Sequence, residues 1–300
     1  MIRSVYITGA NGFIGKHLCS LLERKYTVRK YIRNESIVIR EDVVIHLAGL
    51  AHDLGKVSNE ADYYRVNTDF TKEVYEAFLQ SPAKKFIFLS SVKAAADVVE
   101  EILTEDALPH PKTPYGLSKL KAEEYIISHP ETASRNKQFY ILRPAMVYGE
   151  GNKGNLNTLY HFLKRGYPWP LGAFNNRRSY CAVENLLFVM DEILRIDDFP
   201  SGIYNVCDDE AVRTNDLVAW IQRGSGKRTQ IYKIPAFLIY ILVKFGDLFK
   251  LPLNSETFKK LTDSYEVSNK KLVLTLGTSL PVKTKYGIPR VLKTFRKDAE

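Results

Sequence analysis

The chain has 300 residues, with 43 Lys+Arg against 34 Asp+Glu and 45% hydrophobic residues. That length buries one large core or two smaller ones, and the ordinary Gly, Pro and charge fractions exclude a disordered or fibrous chain. The longest uncharged apolar run, Ile234–Val243, has roughly half the length that a membrane span needs. The N-terminus, MIRSVYITGANGFIG, lacks a basic region leading into an apolar run, so no signal peptide is expected. Cys19, Cys181 and Cys207 are far apart and form no CxxC, so neither a disulfide framework nor a zinc cluster is expected. A reducing cytoplasm is the expected compartment. The net charge of +9 leaves open nucleic acid, a membrane surface, an anionic small molecule or a merely solvated basic surface.

In chain order, the first half alternates short β-branched runs with helical patterns. Strands are predicted at Ser4–Thr8, Thr27–Ile32, Val43–Leu47, Lys85–Leu89 and Phe139–Leu142. Helices are predicted at Phe13–Arg24, Asn67–Gln80 and Ser118–Ser128. This rhythm implies an α/β fold, a doubly wound parallel sheet with helices on both faces. Every strand except the second is nearly continuously apolar, as burial on both faces requires. After Gly149 the rhythm breaks into a Gly-, Pro- and Asn-rich stretch that reads as loop. A helix at Val183–Ile196 and a strand at Ile203–Val206 follow, then helices with basic loops.

The first strand runs into Gly9-Ala10-Asn11-Gly12-Phe13-Ile14-Gly15 and then a helix. Glycines in a strand–turn–helix context allow close backbone approach, and the helix N-terminus offers free N–H groups to a pyrophosphate. An acid that would bind the ribose of NAD is expected about 20 residues on. The second strand instead reads Val28-Arg29-Lys30-Tyr31-Ile32-Arg33. Arg33 suits a 2′-phosphate, so NADP is favoured over NAD. The stretch from Asn34 to Asp42 is too short for a full helix and strand, so part of the usual adenine pocket is missing or differently supplied.

Tyr115-Gly116-Leu117-Ser118-Lys119 forms YxxxK, and a spacing of four puts both side chains on one helix face. A tyrosine with a reference pKa of about 10 is roughly 0.1% ionised at neutral pH. A neighbouring ammonium stabilises the phenolate and makes the residue usable as an acid or base. Ser90-Ser91 lie at the end of the preceding strand.

With these motifs the chain resembles the extended short-chain dehydrogenase/reductases, also called NAD-dependent epimerase/dehydratases. The resemblance runs over nearly the whole chain. It rests on TGANGFIG (Thr8–Gly15), VIHLAG (Val44–Gly49), VNT (Val66–Thr68), FLSS (Phe88–Ser91) and PYGLSK (Pro114–Lys119). LRPAMVYG (Leu142–Gly149), RRSYCAVENL (Arg177–Leu186) and a Leu276-Gly277…Pro281 region that lacks the family's Trp complete it. It implies that Gly9, Gly12 and Gly15 hold the pyrophosphate, with Phe13 and Ile14 at the helix start. Ala48 and Gly49 would line the cofactor cleft, and Arg143-Pro144 would close the nicotinamide pocket. Tyr115 would be the acid/base, Lys119 would bind the nicotinamide ribose, and Ser91 would hydrogen-bond the reacting oxygen. Asn67 would be structural, and Asn155 and Arg178 would contact the substrate diphosphate. His46 reads as a strand residue rather than a base, and no role is assigned to His52 or His110.

Lys153–Leu156, Pro170–Gly172 and Asn176–Ser179 look most like a bacterial subgroup of the family. It holds UDP-glucose 4-epimerase-like proteins and reductases of UDP-4-keto-6-deoxy-N-acetylhexosamines, which serve surface-polysaccharide synthesis. The missing acid tilts the expectation to a UDP-4-keto-6-deoxy-hexosamine 4-reductase over a UDP-glucose or UDP-N-acetylglucosamine 4-epimerase. A dehydratase is disfavoured because Val92 and Lys93, not an acid, follow Ser91. A non-catalytic NADP-binding regulator on the same fold is the alternative of another class. Such proteins tend to lose the Tyr or Lys that this chain keeps.

The resemblance partitions the chain into a Rossmann domain (1–150 with about 180–207) and a substrate domain (about 151–179 with 208–300). It also implies a homodimer. Ile234–Phe249 reads IPAFLIYILVKFGDLF, apolar on every face of its first ten positions. Burial in the substrate domain is expected for it. A peripheral membrane contact through Lys233, Lys244 and Lys250 is the sharper alternative. No nucleic-acid motif or aromatic-interleaved basic stripe appears. Six Lys+Arg against two acids in the last 20 residues stay unplaced.

Overall fold

The computed structural model describes residues 2–50, 59–129, 136–152, 154–225, 230–249 and 254–297. Its first half contains β1 (Ser4–Thr8), α1 (Phe13–Leu22), β2 (Thr27–Lys30), β3 (Val43–His46) and α2 (Glu60–Tyr63). A π-wound segment, Tyr64–Asp69, leads into α3 (Phe70–Gln80), followed by β4 (Lys85–Leu89), a 3₁₀ turn at Val92–Ala94 and α4 (Pro114–Ile127). Next come β5 (Gln138–Pro144), β6 (Met146–Tyr148), α5 (Asn155–Lys164), β7 (Arg177–Arg178), β8 (Tyr180–Ala182) and α6 (Val183–Arg195). The chain continues with β9 (Gly202–Val206), β10 (Val212–Arg213), α7 (Thr214–Ser225) and α8 (Ala236–Phe249). It closes with α9 (Ser255–Thr262), α10 (Lys270–Leu276) and α11 (Thr284–Lys297).

One sheet organises the molecule, in the order β2-β1-β3-β4-β5-β9, with every pair parallel. Successive side chains alternate between its faces. Val5, Ile7, Val43, Ile45, Ile87 and Leu142 join α1 and α6 on one side. Tyr6, Val44, Phe86, Phe88 and Ile141 join α3 and α4 on the other. This is the doubly wound α/β fold expected from the alternation of strands and helices.

The sheet also shows what is missing. Residues 31–42, between β2 and β3, hold neither strand nor helix. Ile39 is buried there, and Tyr31 and Ile37 pack beside it on the face around Tyr6. The Arg29 guanidinium lies 4.3 Å over the Tyr6 ring. Glu41 holds it through two hydrogen bonds of 2.5 and 2.8 Å. A few side chains thus cover what a crossover helix normally covers.

A separate apolar cluster joins Tyr148, Leu156, Tyr160 and Trp169 to Leu217, Ile221, Ile239, Val243, Ile288 and Leu292. Two expectations fail in this region. Residues 155–164, read as loop, form α5. Leu156, Tyr160 and Leu163 recur there at helical spacing and are buried. The glycines that suggested a loop stand outside the helix, at its N-cap (Gly154) and just beyond its end (Gly166, φ +84°). The second failure is α8, expected to be buried. Only Ile239, Val243 and Gly246 are buried in it. The basic tail, by contrast, acquires a structure. α11 buries Ile288, Val291, Leu292 and Phe295, and its Arg290 pairs with Glu184.

Candidate active site

The glycine turn closes the gap between β1 and α1. Gly9 has φ +72°, and a Cβ there would lie 2.6 Å from the Ala48 amide nitrogen. A Cβ on Gly15 would lie 2.2 Å from the Gly9 carbonyl oxygen. At Gly12 the nearest atom would be that same oxygen, at 3.3 Å, so this position is open outward. Gly12 is the N-cap of α1, which has no side-chain capping bond and no acid in its first turn. Packed glycines behind, an open glycine in front and uncapped N–H groups form a cradle fitted to a diphosphate. Phe13 begins the helix and reaches Gly149, where a Cβ would lie 3.1 Å from its Cζ.

Behind the turn runs a directed chain of hydrogen bonds. The Ala48 N–H donates to Thr8 Oγ1 at 3.3 Å, and Thr8 and His46 Nδ1 are 2.7 Å apart. His46 Nε2 stands 2.9 Å from Thr71 Oγ1, which itself donates to the Asn67 carbonyl at 2.7 Å. Since Thr71 gives its proton to Asn67, it accepts from His46, which fixes a neutral Nε2–H imidazole. Full burial, followed by the nearby Lys119 charge, pushes the His46 pKa down to about 3. His46 therefore wires the sheet together, as its reading as a strand residue implied.

Asn67 extends this chain to the YxxxK helix. Its Oδ1 accepts from Leu50 N–H at 2.8 Å, and its Nδ2 donates to Ser118 Oγ at 3.0 Å. Thr68 Oγ1 donates to the Ser118 carbonyl at 2.7 Å. Both residues sit in the π-wound segment, an irregularity frequent at functional sites.

α4 starts at Pro114 in its first turn, capped by Thr113, whose Oγ1 accepts from Gly116 N–H at 3.2 Å. Asp97 fastens this end by accepting from Thr113 N–H (2.9 Å) and Thr113 Oγ1 (2.8 Å). Burial raises the Asp97 pKa, but bonds from the Lys112 and Thr113 amides outweigh it, and the net shift is downward. Gly116 lets α4 approach the turn after β4, since a Cβ there would lie 2.5 Å from the Lys93 carbonyl oxygen. That turn is capped by Ser91, whose Oγ accepts from Lys93 N–H at 3.2 Å. Ser91 and Tyr115 are thus on segments held in direct contact. Tyr115 is half-buried, its ring 6.0 Å from that of Tyr63.

Lys119 is 4% exposed. Its ammonium donates to the Leu89 carbonyl at 2.9 Å and lies 4.8 Å over the Phe88 ring. A Cβ on Gly49 would be 3.0 Å from Lys119 Nζ and 3.0 Å from Asn67 Oδ1, so these three converge. Burial pulls the Lys119 pKa down to about 8, while Glu123 acts in the opposite sense.

Glu123, eight residues after Tyr115 on the same face, was not singled out from the sequence. It forms a pair with Arg143 through bonds of 3.0 and 3.1 Å from Nε, each partner 1% exposed. It also accepts a short bond from Ser90. Arg143 is therefore enclosed in an ion pair and does not line a nicotinamide pocket, which corrects the expectation for it. Pro144 follows at the end of β5, paired with Val206 of β9. The available signal for Glu123 was its spacing of four from Lys119.

Arg178 joins this region indirectly. Its Nε donates to the Asp263 carbonyl at 3.1 Å, and it bridges to Tyr265. The Tyr265 hydroxyl donates to the carbonyls of Val92 (3.1 Å) and Ala96 (2.6 Å), in the turn that begins at Ser91. Arg177 turns elsewhere, 3.4 Å from Glu266 and bonded to the Ala211 carbonyl. Asn155 opens α5, but its side chain lies outside the described residues, as does His52. His110 is exposed, with Nδ1 at 3.0 Å from the Leu108 carbonyl.

Arg33 stands apart from the rest. β2 ends at Lys30, two residues before its expected end at Ile32, and Arg33 is exposed in the following turn. Beside the glycine turn, Ala10, Asn11, Lys16, Arg24 and Lys30 border a depression of about 430 Å³ whose lining does not include Arg33. Its one acid, Glu23, pairs with Lys30 at 2.8 Å.

Residues 5–207 match the model of the NAD dependent epimerase/dehydratase family. The chain is 29% identical to a UDP-glucose 4-epimerase of Vibrio cholerae, over 98% of this chain and 96% of that one. It is 27% identical to an N-acetyl-alpha-D-glucosaminyl-diphospho-ditrans,octacis-undecaprenol 4-epimerase of Escherichia coli O157:H7, over 78% and 76% of the two chains. A UDP-glucuronic acid 4-epimerase from Bacillus cereus, solved with NAD, superposes with a TM-score of 0.77 at 19% identity. That alignment covers 99% of this chain and 100% of the other.

Proposed function

The chain belongs to the NAD-dependent epimerase/dehydratase family, and from that premise we propose that it is a 4-reductase of a UDP-4-keto-6-deoxy-hexosamine. It would use NADPH, in surface-polysaccharide synthesis. The coarser reading, a nucleotide-sugar epimerase or reductase using NAD or NADP, follows from its relatives. With its diphosphate on the glycine cradle, a nicotinamide dinucleotide would supply or remove the hydride at sugar C4. The chain's own residues do the rest. Gly9, Gly12, Phe13, Ile14 and Gly15 hold the diphosphate, and Ala48, Gly49 and Pro144 border the nicotinamide side. Lys119 binds the ribose and supports the Tyr115 phenolate. Tyr115 gives its proton to the C4 oxygen, and Ser91 holds that oxygen by a hydrogen bond. Asn155 and Arg178 take the sugar diphosphate, within a cleft between the Rossmann and substrate domains as partitioned above. A second apolar cluster holds most of the proposed substrate domain but also takes in Tyr148, Tyr180 and Ala182, while Val267, Leu272 and Leu280 pack on the Rossmann core.

The observation that carries the choice of a reductase is the reduced adenine side. A reductase must release its cofactor after every turnover, whereas a 4-epimerase keeps it. Residues 31–42 offer no helix or strand to enclose an adenosine, and Lys16, Arg24, Lys30 and Arg33 offer cations to a 2′-phosphate. Val92, buried, and Lys93, bonded to the Asp97 carbonyl, stand where a dehydratase would need an acid. The test is NADPH oxidation with a UDP-4-keto-6-deoxy sugar, and one NADPH per sugar is expected. Interconversion of UDP-sugars without added reductant would overturn it and establish the second reading, a UDP-glucose or UDP-N-acetylglucosamine 4-epimerase. The Vibrio cholerae relative, matched end to end, favours that second reading. A non-catalytic regulator is opposed by the retained Tyr115, Lys119 and Ser91. A homodimer remains part of the proposal, to be checked by sedimentation equilibrium.

A further inference from the structure

α8 is anchored by one narrow strip. Ile239 and Val243 are in the apolar cluster, and Gly246 is buried beside them. Around the rest of the helix, Phe237 is 63% exposed, Leu238 42%, Ile241 49%, Leu242 53%, Phe245 53%, Leu248 73% and Phe249 63%. At 3.6 residues per turn these seven fall within one arc of about 140°. They present on the order of 1,000 Å² of apolar side-chain surface. A soluble monomer ordinarily exposes a few hundred at most in one patch.

We propose that this arc lies in the interfacial layer of an anionic lipid bilayer, with α8 parallel to the surface. Charge identifies the occupant. From residue 227 to 260 there are seven Lys+Arg and two acids. Lys244 borders the arc, Lys233 precedes the helix, and Lys259 and Lys260 are exposed on α9. α9 is held against α8 by a Tyr240–Phe258 ring contact at 5.3 Å. Asp247, the acid on α8, accepts from Ser255 N–H at 2.8 Å and faces α9. An apolar arc rimmed by cations matches acyl chains beneath anionic headgroups. A second copy docking through the same arc would, under two-fold symmetry, set this positive rim against itself. Tyr240, 54% exposed on α8, stands beside the arc as an amphipathic ring suited to the headgroup level. α8 has 14 residues. Among the described residues no helix is long and apolar enough to cross a membrane, so α8 lies on the bilayer. This inference holds whichever nucleotide sugar and redox outcome prove correct.

The experiment is flotation of the full chain with vesicles of phosphatidylcholine alone or mixed with phosphatidylglycerol. The comparison variant combines Phe237→Ser, Ile241→Ser, Phe245→Ser and Leu248→Ser, all at exposed positions. Its circular dichroism and NADPH binding report folding. Wild type should float with the mixed vesicles, with much less on phosphatidylcholine and partial release by salt. The variant should bind them more than about tenfold more weakly. Absence of wild-type flotation on the mixed vesicles would overturn the proposal. So would a wild-type dimer that the four substitutions convert to monomer without any vesicle binding, which would assign the arc to a second copy. Should the fourfold variant lose its fold, Lys244→Glu with Lys233→Glu gives the same reading, since reversed charge should abolish the preference for anionic lipid.

Discussion

The two halves of the proposed cofactor cleft are built on opposite plans. On the nicotinamide side, Thr8, His46, Thr71, Asn67 and Ser118 form one hydrogen-bonded chain beneath Lys119 and Tyr115. Glu123, one turn beyond Lys119 on α4, forms a buried ion pair with Arg143 of β5. On the adenine side, β2 has four residues, and three of them are exposed. The segment that follows it carries no regular structure. The difference separates two demands. Proton transfer needs groups fixed to a fraction of an ångström, whereas a cofactor that comes and goes needs only enough contact to be held for one cycle.

The contrast can be broken at its strongest point first. Tyr115→Phe should lower turnover by about 10³-fold or more while leaving cofactor affinity nearly unchanged. Steady-state rates and calorimetric NADPH titration check this, and retained activity would remove Tyr115 from the chemistry. Glu123→Ala should destabilise the fold by about 3–5 kcal/mol, because it leaves the Arg143 guanidinium buried and unpaired. Denaturant unfolding reads the loss, and a value below 1 kcal/mol would mean that the pair is solvated and the nicotinamide side less rigid than its geometry indicates.

Lys119 gives a pH signature. Its ammonium is present below about 8 and lost above. If it supports the Tyr115 phenolate, the rate should fall about tenfold for each further unit once the ammonium is gone. Stability should move the other way. The native state sheds this proton at about 8 and an unfolded lysine near 10.5, so raising the pH between them favours the folded state. The smallest effect belongs to the adenine side. Arg33→Ala should shift the preference for NADPH over NADH by about five- to tenfold, as loss of one exposed charge-assisted bond implies. An unchanged ratio of kcat/KM for the two cofactors would show that this exposed turn does not read the 2′-phosphate.

What was legible in the sequence follows the same division. β1 and β4 fall where predicted, because continuous burial on both faces leaves an uninterrupted apolar run. Tyr115 and Lys119 were found because a spacing of four marks one helix face. The network beneath them was not, because Thr8, His46, the neighbours Asn67 and Thr71, and Ser118 come from four places in the chain, and only the packing of helices on the paired strands brings them together. Glu123 carries no mark of its own in the sequence, because its partner Arg143 reaches it from β5. α5 was hidden by glycines that stand at its ends rather than inside it. α8 was misread because an apolar helix is ordinarily a core helix. Composition gives the hydrophobicity of such a segment but not whether other elements cover it.

The shortness of the β2–β3 connection also has an architectural consequence. Without an outer strand, β2 closes the sheet with backbone N–H and C=O groups that no described strand engages. Such an edge invites foreign strands to add to it. Only four residues form it, and Arg29 and Lys30 carry charge onto it, with Arg29 drawn back over Tyr6 by Glu41. Brevity and charge oppose sheet-to-sheet stacking between molecules. The short β2–β3 connection thus leaves a frontier, and Arg29 and Lys30 guard it against aggregation.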